Sequence, residues 1–122
     1  MPPKNAVLVM YVVLRRDLLT ELKWPIGALV AQACHASTAV LWTHKDDSST
    51  VDYMANMGSM RKVLLEVKNE QELKSISDTL ISQKIDHNLW IEQPENIATC
   101  IALKPYPRND VQPFLKHLSL FS

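Results

Sequence analysis

The sequence predicts an α/β protein built as a single domain, a three-layer α/β/α sandwich around a four-stranded mixed sheet. Three observations lead there. Residues 6–14, AVLVMYVVL, form a near-continuous apolar run that fits a strand buried on both faces, which requires helices on either side of a sheet. Strand-like and helical patterns then follow in the order β-α-α-β-α-β-β-α. The 122 residues, 47% of them hydrophobic, suffice for one core that removes roughly two thirds of the unfolded surface from water, and are too few for two.

The apolar run is the expected central strand, followed by a polar turn at Arg15, Arg16 and Asp17. Pro25 suits the first turn of a helix, because its φ is fixed and its missing N–H has no helical partner there. That helix should reach about Thr43. One arc carries Leu29, Val30, Ala33, Cys34, Val40 and Leu41, and the opposite arc Ala28, Ala31, Gln32, His35, Ala39 and Trp42. Both arcs are mostly apolar, which predicts a largely enclosed helix.

Residues 44–50 read as a loop, and 51–57 as a short helix stopped by Gly58 with φ > 0. A second strand is expected over 62–68, KVLLEVK. Asn69 can cap the next helix, with Glu72 completing a capping box and Leu73, Ile76, Leu80 and Ile81 forming the apolar stripe. Lys74, Ser75, Asp78 and Ser82 then face water. Two strands, 87–92 and 97–103, are joined by the tight turn Gln93-Pro94-Glu95-Asn96, and Asp110 can cap a last helix through Leu115. The first two crossovers should bring parallel strands together, and the tight turn makes the last two antiparallel.

Thirteen Lys and Arg balance thirteen Asp and Glu, which argues against broad electrostatic capture of nucleic acid and leaves room only for a local basic patch. Cys34 and Cys100 sit in apolar neighbourhoods without ligand spacing, so both are expected as small core residues, with no metal site or disulfide framework. Gly27 and Gly58 are the only glycines, which excludes a Rossmann fingerprint or P-loop; no cofactor is expected. No bilayer-length apolar window stands out and the start, Met1-Pro2-Pro3-Lys4-Asn5, lacks a signal-peptide core. A soluble cytoplasmic protein without a membrane partner is expected, with the mitochondrion as the alternative compartment.

Gln32 and His35 lie one helical turn apart among alanines, where a substrate or second backbone could approach closely. The plain alternative is a hydrogen-bonded structural histidine. Arg15, Arg16, Lys23 and Trp24 cluster after the first strand, where open α/β sheets bind ligands, or form a solvated loop with Trp24 packed as a lid. Glu92 ends the third strand as a candidate acid or base near that edge. Trp42 and Trp90 are assigned to the core or a subunit contact.

The residues 14–18, LRRDL, and 27–36, GALVAQACHA, resemble the type 2 peptidyl-tRNA hydrolases, as do 97–105, IATCIALKP. The run 89–100, LWIEQPENIATC, resembles the divergent eukaryotic branch called peptidyl-tRNA hydrolase domain-containing proteins. The resemblance covers essentially the whole chain. It implies a metal-independent translation enzyme, often a homodimer, that hydrolyses the ester joining a peptide to the 3′ ribose of tRNA.

Gln32 and His35 match the family's Q-x-x-H, Asp17 its acid after the first strand, and Thr99 its last-strand threonine. Spacing places Glu92 at the family aspartate, with Asp86 as an alternative register. The implied catalytic set is therefore Glu92, His35, Gln32, Asp17 and Thr99, lining a surface pocket, with Arg15, Arg16, Lys23 and Trp24 binding peptidyl-tRNA. Two departures stand out. The family's K-x-G-K-G-K reads here Lys23-Trp24-Pro25-Ile26-Gly27-Ala28, and the A-G-x-T loop has no counterpart. They argue against efficient hydrolysis and define the alternative, a catalytically inactive tRNA- or protein-binding module on the same scaffold.

Overall fold

A computed structural model describes residues 7–122, so Ala6 of the expected first strand and the stretch 1–5 lie outside the described residues. The elements are β1 (Leu8–Arg15), α1 (Asp17–Thr20), α2 (Ile26–Thr43), α3 (Ser48–Ala55), β2 (Lys62–Val67), α4 (Glu70–Ser82), β3 (His87–Glu92), β4 (Ile97–Leu103), β5 (Tyr106–Pro107), α5 (Arg108–Val111) and β6 (Ser119–Leu120). They form one mixed α/β domain.

The sheet has six strands rather than the expected four, ordered β3-β4-β1-β2-β6, with β5 paired to the start of β1. The two additions are pairs of residues, too short to carry a period. They form because neighbouring backbone is left without partners: Leu8 and Val9 face Pro107 and Tyr106, and Leu65 and Glu66 face Leu120 and Ser119. β1 lies between a parallel β2 and an antiparallel β4, and β3 and β4 are antiparallel. β4 therefore separates β3 from β1, and the second crossover does not bring neighbouring strands together.

β1 is apolar from Leu8 to Leu14 because its alternate residues enter different cores. Val9, Tyr11 and Val13 pack with Leu73, Ile76 and Leu80 of α4 and Val111 of α5. Met10, Val12 and Leu14 pack with Leu18, Leu29, Ala36, Val40 and Tyr53 from α1, α2 and α3. Asn69 caps α4 as expected, its side chain accepting the Glu72 N–H at 2.9 Å.

Several expectations are corrected. α2 is not largely enclosed: Leu29, Gln32, Ala36 and Val40 form its buried line, whereas Val30, Cys34 and Trp42 are exposed. The sheet can cover only one side of a helix, and α3 is too short to cover the other. Cys34 and Trp42 are thus not core residues, while Cys100 is. α2 is also long and apolar enough to cross a membrane by length and composition, contrary to the reading of that window, although its buried line packs in the domain core.

α3 begins at Ser48, inside the expected loop, and Gly58 sits in a 3-10 turn without positive φ. Ile81 is exposed on α4 and Ser77 takes a buried position instead. Asp110 lies within α5, which starts after Pro107, so it is no cap.

Thr50 on α3 is buried and its hydroxyl has no hydrogen-bond partner among the described residues. Replacing it by the isosteric Val removes a desolvated polar atom without opening a cavity. Thr50→Val should raise stability by about 1 kcal/mol, read as a higher denaturation midpoint at unchanged slope.

Candidate active site

The site is built around an irregularity in the β3–β4 pair. Trp90 is opposite Cys100, but the next residue, Ile91, is opposite Ala98, so Thr99 is an extra residue in the ladder. Ile97 and Cys100 pack toward the α2 side and Ala98 and Ile101 toward the α4 side, which is ordinary alternation with Thr99 inserted. Such a bulge re-aims one side chain. Here it turns the buried Thr99 hydroxyl toward α2, where it donates to Gln32 Oε1 at 2.8 Å.

Gln32 belongs to the buried line of α2 and is a polar group among Leu29, Ala36 and Val40, so each of its amide atoms needs a partner. Its Nε2 donates to Glu92 Oε2 at 3.0 Å and to the Ala28 carbonyl, one turn back, at 3.2 Å. The other carboxylate oxygen, Oε1, accepts the Trp90 indole N–H at 3.0 Å. Trp90 and Glu92 are two apart on one strand, and His35, on the next turn of α2, stacks on Trp90 with ring centroids 4.9 Å apart and planes at 24°. Thr99, Gln32, Glu92, Trp90 and His35 therefore form one connected group.

Glu92 closes β3 just before the turn, whose Asn96 N–H bonds back to the Glu92 carbonyl at 2.7 Å. The Gln32 amide, then the Trp90 indole, hold its carboxyl below the usual carboxylate range, with a smaller contribution from the neighbouring His35 charge. Glu92 is consequently an anion at neutral pH. Its hydrogen bonds favour the anion over the acid, which suits a group that orients donors and water around a fixed charge.

Behind the bulge, the backbone of Ala98 is held through both of its polar groups. Its carbonyl accepts from the Arg15 guanidinium at 2.9 Å and its N–H donates to Glu70 Oε2 at 2.8 Å. Arg15, only 5% exposed, also makes a two-pronged contact with Asp17 at 2.9 and 2.8 Å. Arg15 and Asp17 thus stand under the strand that carries Thr99 and make no contact with Gln32 among the described residues.

The remaining candidates are spread out. Arg16 donates to the Ser122 carbonyl, lies 3.6 Å from Glu66 and covers the Phe121 ring, on the β2 side of the sheet. Lys23 is exposed, in a left-handed backbone conformation with φ 59°. Trp24 is half-buried against the α2-side core. Asp86 precedes β3, at the opposite end from Glu92, and pairs with Lys104 at 3.0 Å. Of the two registers, Glu92 is the one in contact with Gln32.

His44, Asp47 and Asp86 have ligand-type atoms within 4.8 Å of one another, yet the Lys104 ammonium already lies 2.8 Å from Asp47 and 3.0 Å from Asp86. The hydrogen bond from Lys104 holds the Asp47 carboxyl below its usual value. This trio is an ion-paired cluster rather than an open metal centre.

Sequence reasoning missed the role of Trp90, whose i, i+2 spacing to Glu92 on a strand was the available signal. Glu70 and the Ala28 and Ala98 backbones had none, because only the fold brings them to the site.

The family described as Peptidyl-tRNA hydrolase PTH2 matches residues 8–121. A Homo sapiens protein named "Putative peptidyl-tRNA hydrolase PTRHD1" is 57% identical over 116 residues, 94% of this chain and 83% of its own. The "Peptidyl-tRNA hydrolase" of Methanococcus vannielii is 44% identical over 66 residues, 53% of each chain. A solved protein of unknown function from Agrobacterium tumefaciens shares the fold alone, with TM-score 0.64 at 12% identity over 94% of this chain and 98% of that one.

Proposed function

Because the chain belongs to the peptidyl-tRNA hydrolase PTH2 family, we propose that it hydrolyses the ester between a peptide and the 3′ ribose of tRNA, with Glu92 at the centre of the site. The observation that carries this reading is the hydrogen-bonded chain from Thr99 through Gln32 to Glu92, closed by the Trp90 indole. Ester hydrolysis needs an oriented water and donors for the tetrahedral oxyanion. Glu92 supplies a fixed negative charge that accepts from water. The N–H groups of Ile26, Gly27 and Ala28, in the first turn of α2, lack helical acceptors and lie at the positive end of the helix dipole.

A Cβ placed on Gly27 would meet nothing within 4 Å, so that turn is open to an approaching carbonyl. Lys23 offers an exposed cation to tRNA phosphate, whereas Arg15 and Asp17 act by holding the Ala98 peptide and with it Thr99. No step draws on a metal. We also read the two cores, one on each side of β1, as the inner surfaces of a three-layer sandwich. A homodimer and a cytoplasmic setting belong to the same proposal, the latter suited by two cysteines that are both unpaired.

A second reading, a tRNA-binding module without turnover, is favoured by two specific observations. Ile26 and Ala28 stand where the resembled motif has lysines, and both Gln32 N–H bonds are already engaged. Purified protein free of host hydrolase should release the N-blocked amino acid from N-blocked aminoacyl-tRNAs. Binding of these tRNAs without release from any of them would overturn the hydrolase reading in favour of the second.

A further inference from the structure

The stacked pair of His35 and Trp90 does something the carboxylate chemistry does not require. Trp90 is fixed at both ends, its indole N–H tied to Glu92 and its ring packed against the α2-side core. His35 lies on it nearly parallel, is itself exposed, and makes no hydrogen bond through either ring nitrogen among the described residues. One face of the imidazole is therefore covered by Trp90, while the residue as a whole stays exposed to solvent. A two-ring stack on a fixed base at an exposed position is the form of a stacking platform for a further flat ring.

Its place relative to Glu92 indicates which ring. His35 follows Gln32 by three residues on α2, a rise of about 4.5 Å, and Gln32 touches Glu92 directly. A substrate whose ester lies at Glu92 extends in two directions from it. On one side is the peptide, whose side chains vary; on the other, one sugar ring away, is the base of the terminal adenosine, which is the same in every tRNA. A fixed aromatic surface suits the invariant side.

We infer that His35, backed by Trp90, forms a stacking platform for the purine of the 3′-terminal adenosine and so sets the distance between the ribose ester and Glu92. The inference rests on the hydrolase reading for its choice of base but not for the existence of the platform. Because stacking uses the π-face of the ring, the platform tolerates another aromatic residue and fails with alanine. His35 is exposed, so its replacement does not disturb the core.

The test uses the full chain and a fluorescently labelled RNA strand ending in CCA, compared with the same strand carrying an abasic sugar at its last position. The wild type should bind the intact strand about tenfold more tightly than the abasic one. His35→Ala should weaken the intact strand to the abasic level and leave the abasic strand unchanged, and His35→Tyr should restore the preference. Equal binding of both strands by the wild type, no measurable binding of the intact strand, or a His35→Tyr variant as weak as His35→Ala would overturn the platform. Ester release measured on the same preparation keeps the two readings apart. Discrimination between the strands without cleavage upholds the platform and overturns hydrolysis, while cleavage with indifference to the terminal base does the reverse.

Discussion

Glu92→Gln is expected to lower the rate of ester hydrolysis by about 100-fold or more while the protein stays folded. The substitution keeps size and shape and removes the charge toward which Gln32 and Trp90 both donate. One of those two donors then faces an amide N–H₂ group, so the water loses its anion and the site loses its alignment together. The pH dependence carries the same signature. Glu92 is held below its ordinary value by its hydrogen bonds, so its ionised form persists from neutral pH down into the acid side of the carboxylate range. Its contribution to stability is present above the unfolded carboxyl value and is lost as pH falls through the lowered folded one. The rate limb assigned to Glu92 should therefore appear only at acid pH and be absent from the Gln variant. Cys34→Ser, at an exposed position of α2, serves as the control and should leave the rate unchanged. A Glu92→Gln enzyme as fast as the wild type would remove Glu92 from the chemistry.

Arg15→Ala should damage the fold severely, at a cost of about 3–5 kcal/mol. Arg15 is buried, and its removal strands both the Asp17 carboxylate and the Ala98 carbonyl. Arg15→Lys keeps the charge without the planar fork that meets Asp17 at two points, so it should recover only part of the loss. Denaturant unfolding of the three proteins measures this directly. Activity of the Arg15→Lys variant should fall further than its stability alone accounts for, because the Ala98 peptide positions Thr99. A cost below about 1 kcal/mol for Arg15→Ala, the range of an exposed ion pair, would show that the contact contributes little.

What could be read from the sequence followed from how strongly each segment is constrained. β3 and β4 were read to the residue, because a four-residue turn between alternating strands leaves little freedom. β1 was visible as an apolar run because both its faces are buried, and the Asn69 cap as a local hydrogen-bonding pattern. α2 was located correctly but its buried side was not, since alanine, valine and cysteine supply no contrast around its circumference. β5 and β6 pair with distant segments, and nothing local announces them.

The site divides in the same way. Gln32, His35, Glu92 and Thr99 were visible as residues, and the structure brings them together. Arg15 looked like a surface cation because it ends a strand beside two polar residues; in the fold it lies beneath β4. Trp90 looked like core because tryptophan usually is, and half of it is. The other half, the indole N–H, has its partner two residues along the same strand.

The extra residue in β4 is the joint between the sheet and the polar cluster. Without Thr99, Ala98 and Cys100 would become consecutive, and the hairpin would alternate regularly with the same residues in the same two cores. What would vanish is the hydroxyl that anchors Gln32, and with it the fixed aim of Gln32 toward Glu92. The same deletion would draw Ala98 one position along the strand, away from the register in which Arg15 holds its carbonyl, so the inserted residue ties the polar cluster above the sheet to the ion pair beneath it.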